Sequence, residues 1–241
     1  MSSAPAELAV ALSFFDPGAG LHGTVRSGLT LLFDGREARV ERGATEIERA
    51  QGAWHARAGG DVEVTLTPAS DTADLGGIGV TVCSVDGTVA GRKISGLGTA
   101  AETKRPPEWR ELDLLRAISA VFEPGLAALA VARRPRAAEN HGSELVTAVL
   151  VEGGELRAPE DARISTVYDG GGRQHSAGLE LWFPGEEFPR RLFGTVQAGT
   201  SLELEGLAVH AAAFNWRMEG HVGAGLYELT LRRDEAEPAA A

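Results

Sequence analysis

The segment Phe214–Glu228 near the C-terminus reads FNWRMEGHVGAGLYE and places aromatic, charged and glycine residues in close succession. If it is extended, Phe214, Trp216 and Met218 share one face, because successive side chains of a strand point to opposite faces. These large apolar residues are then expected in a core. A turn is expected at 220–221, and two later glycines predict close approach of another backbone. The segment therefore predicts the last hairpin of a β-sheet.

Short runs of the same kind recur along the whole chain. They alternate apolar and polar residues or are rich in β-branched residues, and Gly, Asp-Gly or Pro-Gly steps bound them. The runs lie at 8–15, 23–35, 61–69, 78–91, 126–134, 144–154, 178–185 and 226–233. The 31 glycines fit many tight turns. Asp86-Gly87 and the residues 152–155 predict hairpin turns, and 113–122 fits either a short helix or a strand that enters a bulge.

Three short echoes within the chain predict two similar halves. The segment starting FDPG at Phe15 is echoed by FEPG at Phe122, GDVEVTLTP by SAGLELWFP, and GLGTAAE by GAGLYE, in the same order. We therefore predict an all-β protein with halves 1–112 and 113–241. Each half is expected to be a barrel or curled sandwich with at most one or two short helices. The alternative is that such turns simply recur in β proteins.

Charge and composition exclude several classes of function. The net charge is −11 and no basic run is present, so nucleic-acid binding is not expected. No stretch approaches eighteen apolar residues, which argues against membrane insertion. A single cysteine, Cys83, cannot form an intramolecular disulfide. We expect a cytoplasmic protein, and the sequence does not indicate its oligomeric state.

The order of these motifs resembles that of a known family. The matching pieces are SFFDPGAGLHGTVRSG, ISGLGTAAE, WRELDLLRAISAVFEPG, NHGSELVTAVL and the closing FNWRMEGHVGAGLYE. Together they are similar to the two-domain lipocalin-like proteins related to AttH and hydroxyneurosporene synthase, a carotenoid 1,2-hydratase. The resemblance implies two tandem calycin-like barrels and a pocket for an apolar small molecule such as an isoprenoid, polyketide or lipid. Some relatives are hydratases, cyclases or isomerases.

The chain departs from this family at one place. Commoner members carry a His-Arg-Asp…Ser-Trp-Gly tract after the mid-chain glycine pair. Here the tract reads GLGTAAETKRPPEWREL, which has no His or Asp before Trp109. Any chemistry that this tract performs in relatives is therefore in doubt here.

Acidic residues and one histidine are the candidate catalytic groups, namely Glu102, Glu144, His141 and Glu228. A carboxylic acid kept protonated by an apolar pocket could protonate a double bond. His141 and Glu144 flank a turn before an apolar strand and could share a proton at a barrel mouth, or they could support a solvated loop. Glu102 and Glu228 each follow a glycine pair. This similarity favours a structural duty shared by both halves.

Other residues are candidates for ligand contact. They are Trp109, Arg116, Trp182, Trp216, Arg217 and His221. Trp109 could instead anchor packing between the halves, with Arg116 paired to Asp113 or Glu102. The six histidines lack the spacing of a metal site, and no phosphate-loop motif is present, so neither a metal nor a cofactor is expected.

Two functions follow from these patterns. The first is cofactor-free hydration, cyclisation or isomerisation of an apolar small molecule in a β-barrel pocket. The second is a non-catalytic lipocalin-like carrier or sensor of a lipophilic ligand. A protein with a filled core and only a structural role is a third reading. The low aromatic content, 6%, favours binding or a filled core, because pockets that stabilise carbocations usually contain aromatic side chains.

Overall fold

The computed structural model describes residues 9–136 and 144–232, and within these ranges every regular element is a β-strand. The strands of the first sheet, sheet A, are β1 (Ala9–Asp16), β2 (Leu21–Arg26), β3 (Leu29–Asp34), β4 (Glu37–Arg42), β5 (Thr45–Ala50), β6 (Ala53–Ala58), β7 (Val62–Pro68), β8 (Ala73–Asp74), β9 (Ile78–Val89) and β10 (Arg92–Thr103). Nine of them lie in the order β4-β3-β2-β1-β10-β9-β7-β6-β5, and β8 pairs with β9.

The second sheet, sheet B, repeats this antiparallel arrangement. Its strands are β11 (Leu112–Glu123), β12 (Leu126–Pro135), β13 (Leu145–Glu152), β14 (Glu155–Arg157), β15 (Asp161–Tyr168), β16 (Gln174–Trp182), β17 (Arg190–Leu204), β18 (Leu207–Met218) and β19 (His221–Arg232). Their order is β14-β13-β12-β11-β19-β18-β17-β16-β15. The prediction of an all-β protein with two curled sheets is confirmed. The exact division into 1–112 and 113–241 stays a prediction.

Each sheet encloses its own apolar core on its inner face. In sheet A this core includes Phe14, Leu32 and Trp54. In sheet B it includes Phe214 and Trp216, whose rings stack with centroids 5.3 Å apart. Met218 is also buried there, so the prediction of a core stripe over 214–218 is confirmed.

A third apolar cluster joins the two sheets. It contains outer-face residues of both, such as Phe15 and Leu31 from sheet A and Val121 and Leu129 from sheet B. Because a strand presents alternate residues to opposite faces, β1–β3 and β11–β13 bury both of their faces. Polar residues on these outer faces therefore lie in a buried layer between the sheets.

Glycine pairs on β10 and β19 allow the central strands to approach closely. A Cβ on Gly98 would overlap the carbonyl oxygen of Ser13, and one on Gly225 would overlap that of Ser119. The neighbours Gly96 and Gly223 meet β1 and β11 in the same way. The third echo therefore marks equivalent strands that pair with the first strand of each sheet.

Other sequence interpretations need correction. Asp86-Gly87 is not a turn but lies inside β9, where Gly87 makes room for the backbone of Glu63 and Val64. The turn falls at 90–91. The second echo pairs β7 with β16, which occupy different positions in their sheets.

The region 113–122 is a strand rather than a helix, and its register shifts between Val121 and Glu123. In the part of the chain that the structure describes, no helix is long and apolar enough to cross a lipid bilayer.

Candidate functional site

The layer between the sheets contains a row of polar side chains from β2. In LHGTVR, Leu21, Gly23 and Val25 face the core of sheet A, so His22 and Thr24 face sheet B together with Arg26. His22 is 1% exposed and Thr24 is fully buried. Alternate residues of a strand are about 6.5 Å apart, so this row runs along the buried layer.

Glu228 of β19 is the partner that sheet B offers to Arg26. Its carboxylate accepts two hydrogen bonds from the guanidinium, at 2.6 Å and 3.3 Å. The side chains are 21% and 15% exposed. Glu228, a predicted acid, therefore lies in the layer between the sheets, but as half of an ion pair.

Gln197 of β17 is the partner that sheet B offers to His22. The ladder between β17 and β18 skips Gln197, because Val196 pairs with Phe214 and Ala198 with Ala213. A bulge of this kind re-aims a side chain. The Gln197 Oε1 atom lies 3.1 Å from Nε2 of His22.

Burial lowers the pKa of His22, while the bond to Gln197 and the charge of Asp16 oppose that shift. The neutral ring donates from Nε2 to Gln197, which leaves Nδ1 as an acceptor. Within the described residues, His22 Nδ1, Thr24 Oγ1 and Arg26 Nε are buried and have no hydrogen-bond partner. Buried polar atoms are almost always satisfied, so three adjacent exceptions call for an explanation.

A cleft of about 300 Å³ opens next to Gln197, the partner of His22. Arg36, in the turn between β3 and β4, lies on one side, and the loop after β15 with strands β16 to β18 forms the rest. Gln197 forms part of its wall and is also the hydrogen-bond partner of His22, so it links the cleft to the buried row. The other residues that line it include Asp169, Arg173, Gln174, His175, Ala198 and Ala211. We call the cleft and the β2 row with its partners the inter-sheet site.

Inside sheet B lies a second buried polar group, the barrel B cluster of Arg116, Glu144, Tyr227 and Thr166. Arg116 and Glu144 are 3.1 Å apart, and each side chain is 9% exposed. Tyr227 Oη lies 2.7 Å from Thr166 Oγ1, and burial raises the pKa of Tyr227 to about 12. Arg116 was expected to pair with Asp113 or Glu102, but its partner is Glu144. Asp113 pairs with Arg136 instead.

The structure disperses the other predicted carboxylates. Glu102 shares the inner face of β10 with Ala100, whereas Glu228 shares the outer face of β19 with Leu226. When Gly96 and Gly98 are aligned with Gly223 and Gly225, Glu102 falls on Leu229. Glu102 and Glu228 are therefore not equivalent positions in the two sheets. His141 lies outside the described residues.

The predicted ligand contacts are also spread over the molecule. Trp109 packs against the apolar layer between the sheets, and Trp216 is fully buried in the core of sheet B. Trp182 is half-buried at the end of β16. His221 pairs with Glu123 at 3.1 Å on the surface. Arg217 is exposed and lines a separate groove.

The inter-sheet site was missed because its decisive residues come from distant strands. The available signal was the alternation of His22, Thr24 and Arg26 within an otherwise apolar strand. Nothing local identifies Gln197 as the residue that a bulge turns toward them. Among residues 9–136 and 144–232, no group of three or more His, Cys, Asp or Glu side chains could hold a metal ion.

Comparisons with known proteins find similarity in structure but not in sequence. No protein-family model matches the chain, and no curated protein matches its sequence. A protein from Nitrosomonas europaea with the provisional name AttH has a TM-score of 0.63 at 15% identity, with 92% of each chain covered.

Two further solved structures are similar. Kievitone hydratase from Nectria haematococca has a TM-score of 0.60 at 11% identity and covers 92% of this chain and 88% of its own. CghA has a TM-score of 0.61 at 10% identity and covers 95% of this chain and 89% of its own. The predicted resemblance to the AttH group is confirmed at the level of the fold: this chain has the tandem lipocalin-like fold of AttH-type proteins.

Proposed function

We propose that the protein binds an apolar small molecule between its two sheets and transfers a proton on it, with His22 as the general base. One observation carries the proposal. His22 is buried and its pKa is lowered, while Nδ1 has no partner within the described residues. A neutral imidazole with a free acceptor nitrogen can remove a proton near neutral pH.

The neighbours of His22 suit this role. Thr24 and Arg26 supply polar atoms that lack partners, and these could orient an oxygen of the ligand. The ion pair between Arg26 and Glu228 keeps the net charge of the row near zero. In an isomerisation, His22 Nδ1 takes a proton from one carbon of the ligand and returns it to another. The atoms and electrons then balance without a cofactor.

Access to His22 requires a movement of Gln197. Its side chain lines the cleft, and its Oε1 atom accepts a hydrogen bond of 3.1 Å from the imidazole. An incoming hydroxyl or carbonyl group could replace that amide as the partner of the ring. We propose that Gln197 rotates away as the ligand enters, so its bulge serves as a gate.

The ligand class rests on the fold. The cleft supplies a volume of about 300 Å³, at the lower end of small-molecule sites, and a mixed lining in which Ala198 and Ala211 stand beside polar and charged side chains. One similar structure is named a hydratase. We therefore propose hydration, cyclisation or isomerisation of an isoprenoid, polyketide or lipid.

Native mass spectrometry of protein purified from its own host tests this proposal, because a lipophile that copurifies would appear as added mass. The lipophile is then incubated with the enzyme in D₂O, and incorporation of deuterium or addition of water is measured by mass. His22→Gln should reduce turnover at least tenfold, and His55→Gln, which changes a half-buried histidine of sheet A outside the inter-sheet site, is the matched control. Full turnover by His22→Gln would exclude the proposed base.

A non-catalytic carrier is the second candidate, and the closed state of the site favours it. His22 is 1% exposed, and both sheets enclose apolar side chains. A carrier would bind the copurified lipophile and return it unchanged in D₂O. It would also retain affinity in His22→Gln.

A further inference from the structure

A groove of about 530 Å³ lies on the outer face of sheet B, away from the inter-sheet site. One row of side chains crosses it from strand to strand. Ser165 pairs with Gly178, Gly178 with Phe193, and Phe193 with Arg217. The missing side chain of Gly178 and the short one of Ser165 leave a depression beside the ring of Phe193.

The charged side chains around the groove form ion pairs with one exception. Arg191 pairs with Glu180 at 2.9 Å and Arg163 with Asp161 at 3.0 Å, while Arg190 pairs with Glu219 at 2.8 Å and also with Glu152 and Glu186. Within the described ranges, Arg217 has neither an ion-pair nor a hydrogen-bond partner. The groove therefore presents one guanidinium that makes no direct ion pair within the described residues.

The apolar part of the groove lies beside that charge. Phe193 is 55% exposed and its ring borders the depression. Leu192 and Met218 also border the groove but are only 3% and 2% exposed, so Phe193 is its main apolar surface. A flat apolar body could lie over Gly178 against the ring of Phe193, while an anionic group meets the guanidinium of Arg217.

We infer that this groove is a second binding site, for a small molecule that joins a flat apolar body to a carboxylate. We expect a planar ligand rather than a chain, because the gap at Gly178 lies in one cross-strand row between Ser165 and the ring of Phe193. Arg217 selects the anion, and Phe193 binds the apolar body. The site does not depend on His22 or on the proposed proton transfer.

A pair of probes separates charge from shape. Binding of 2-naphthoate and of the neutral 2-naphthamide to the full chain is measured by isothermal titration. The wild-type protein should bind 2-naphthoate at least tenfold more tightly than the amide. Arg217→Gln should remove this preference and leave amide binding unchanged, whereas Phe193→Ala should weaken both probes. Both side chains are exposed, so neither change should alter folding, which circular dichroism checks.

Matched variants keep the inference falsifiable. Arg57→Gln removes another exposed arginine, on sheet A, and Phe188→Ala removes another exposed aromatic that does not line the groove. Both should bind 2-naphthoate like the wild type, as should His22→Gln. The inference is overturned if no binding occurs at millimolar probe, or if Arg217→Gln binds 2-naphthoate normally. It is also overturned if sedimentation shows a dimer of the wild-type protein that Phe193→Ala converts to a monomer.

Discussion

The inter-sheet site and the barrel B cluster both contain an arginine paired with a glutamate, yet they differ in what surrounds the pair. In barrel B, Arg116 and Glu144 are each 9% exposed inside a core filled by apolar side chains. Between the sheets, Arg26 and Glu228 are 21% and 15% exposed beside a cleft. A buried ion pair therefore does not by itself identify a binding site. Both regions also contain buried polar atoms without a hydrogen-bond partner, so the neighbouring cleft is what distinguishes the inter-sheet site from the barrel B cluster.

The largest expected effect is on the ion pair of barrel B. Arg116→Met leaves the carboxylate of Glu144 buried without its partner, which costs about 3–5 kcal/mol of unfolding free energy. Chemical denaturation measures the loss. The double variant Arg116→Met/Glu144→Leu should recover most of it, because an apolar pair can replace a buried ion pair. A loss below about 1 kcal/mol for the single variant would show that Glu144 is solvated.

The substitution Arg26→Met, in the ion pair between the sheets, should reduce the unfolding free energy less than Arg116→Met does. Arg26→Met leaves Glu228 partly exposed to solvent, so we expect a loss of about 1–2 kcal/mol in the same assay. Binding of the copurified lipophile should weaken more than stability does. A loss equal to that of Arg116→Met would remove the distinction between the two regions.

Two threonines give a finer comparison. Thr166→Val removes the partner of Tyr227 Oη and should cost about 1–2 kcal/mol. Thr24→Val replaces a buried hydroxyl that has no partner in the described chain, so stability should be unchanged or slightly higher. Turnover of the lipophile should nevertheless fall. A destabilised Thr24→Val protein would indicate that this hydroxyl has a structural role.

The smallest effect concerns pH. Burial lowers the pKa of His22 below its ordinary value of 6.5. As the pH falls, His22 is therefore protonated at a higher pH in the unfolded chain than in the folded protein. The stability that neutral His22 contributes is therefore present above pH 6.5 and is lost as the pH falls. Between pH 7.5 and pH 5.5, thermal unfolding should shift less in His22→Gln than in the wild type. Parallel pH curves would contradict the neutral form of His22.

Local patterns predicted much of the fold. Phe214, Trp216 and Met218 were correctly placed in a core because alternation depends only on neighbouring residues. The buried strand position of Cys83 follows from the same rule, and its burial raises the pKa of the thiol to about 12. The glycine pairs were identified because only glycine, which lacks a Cβ atom, fits where two backbones approach this closely.

Long-range features of the site could not be predicted. Asp86-Gly87 has the composition of a turn, yet the strand continues through it because neighbouring backbones need the space. The meeting of His22 with Gln197 spans 175 positions and depends on a bulge. Whether Glu228 faced a cavity or the other sheet depended on how the two sheets pack, which no local pattern encodes.

A crystal structure of the protein with its copurified lipophile tests the central claim most directly. We expect the ligand between the sheets, with Gln197 turned aside and a ligand atom within about 3 Å of His22 Nδ1. Density for the ligand inside sheet B, against Arg116 and Tyr227, would contradict the proposed site and assign the function to the barrel B cluster.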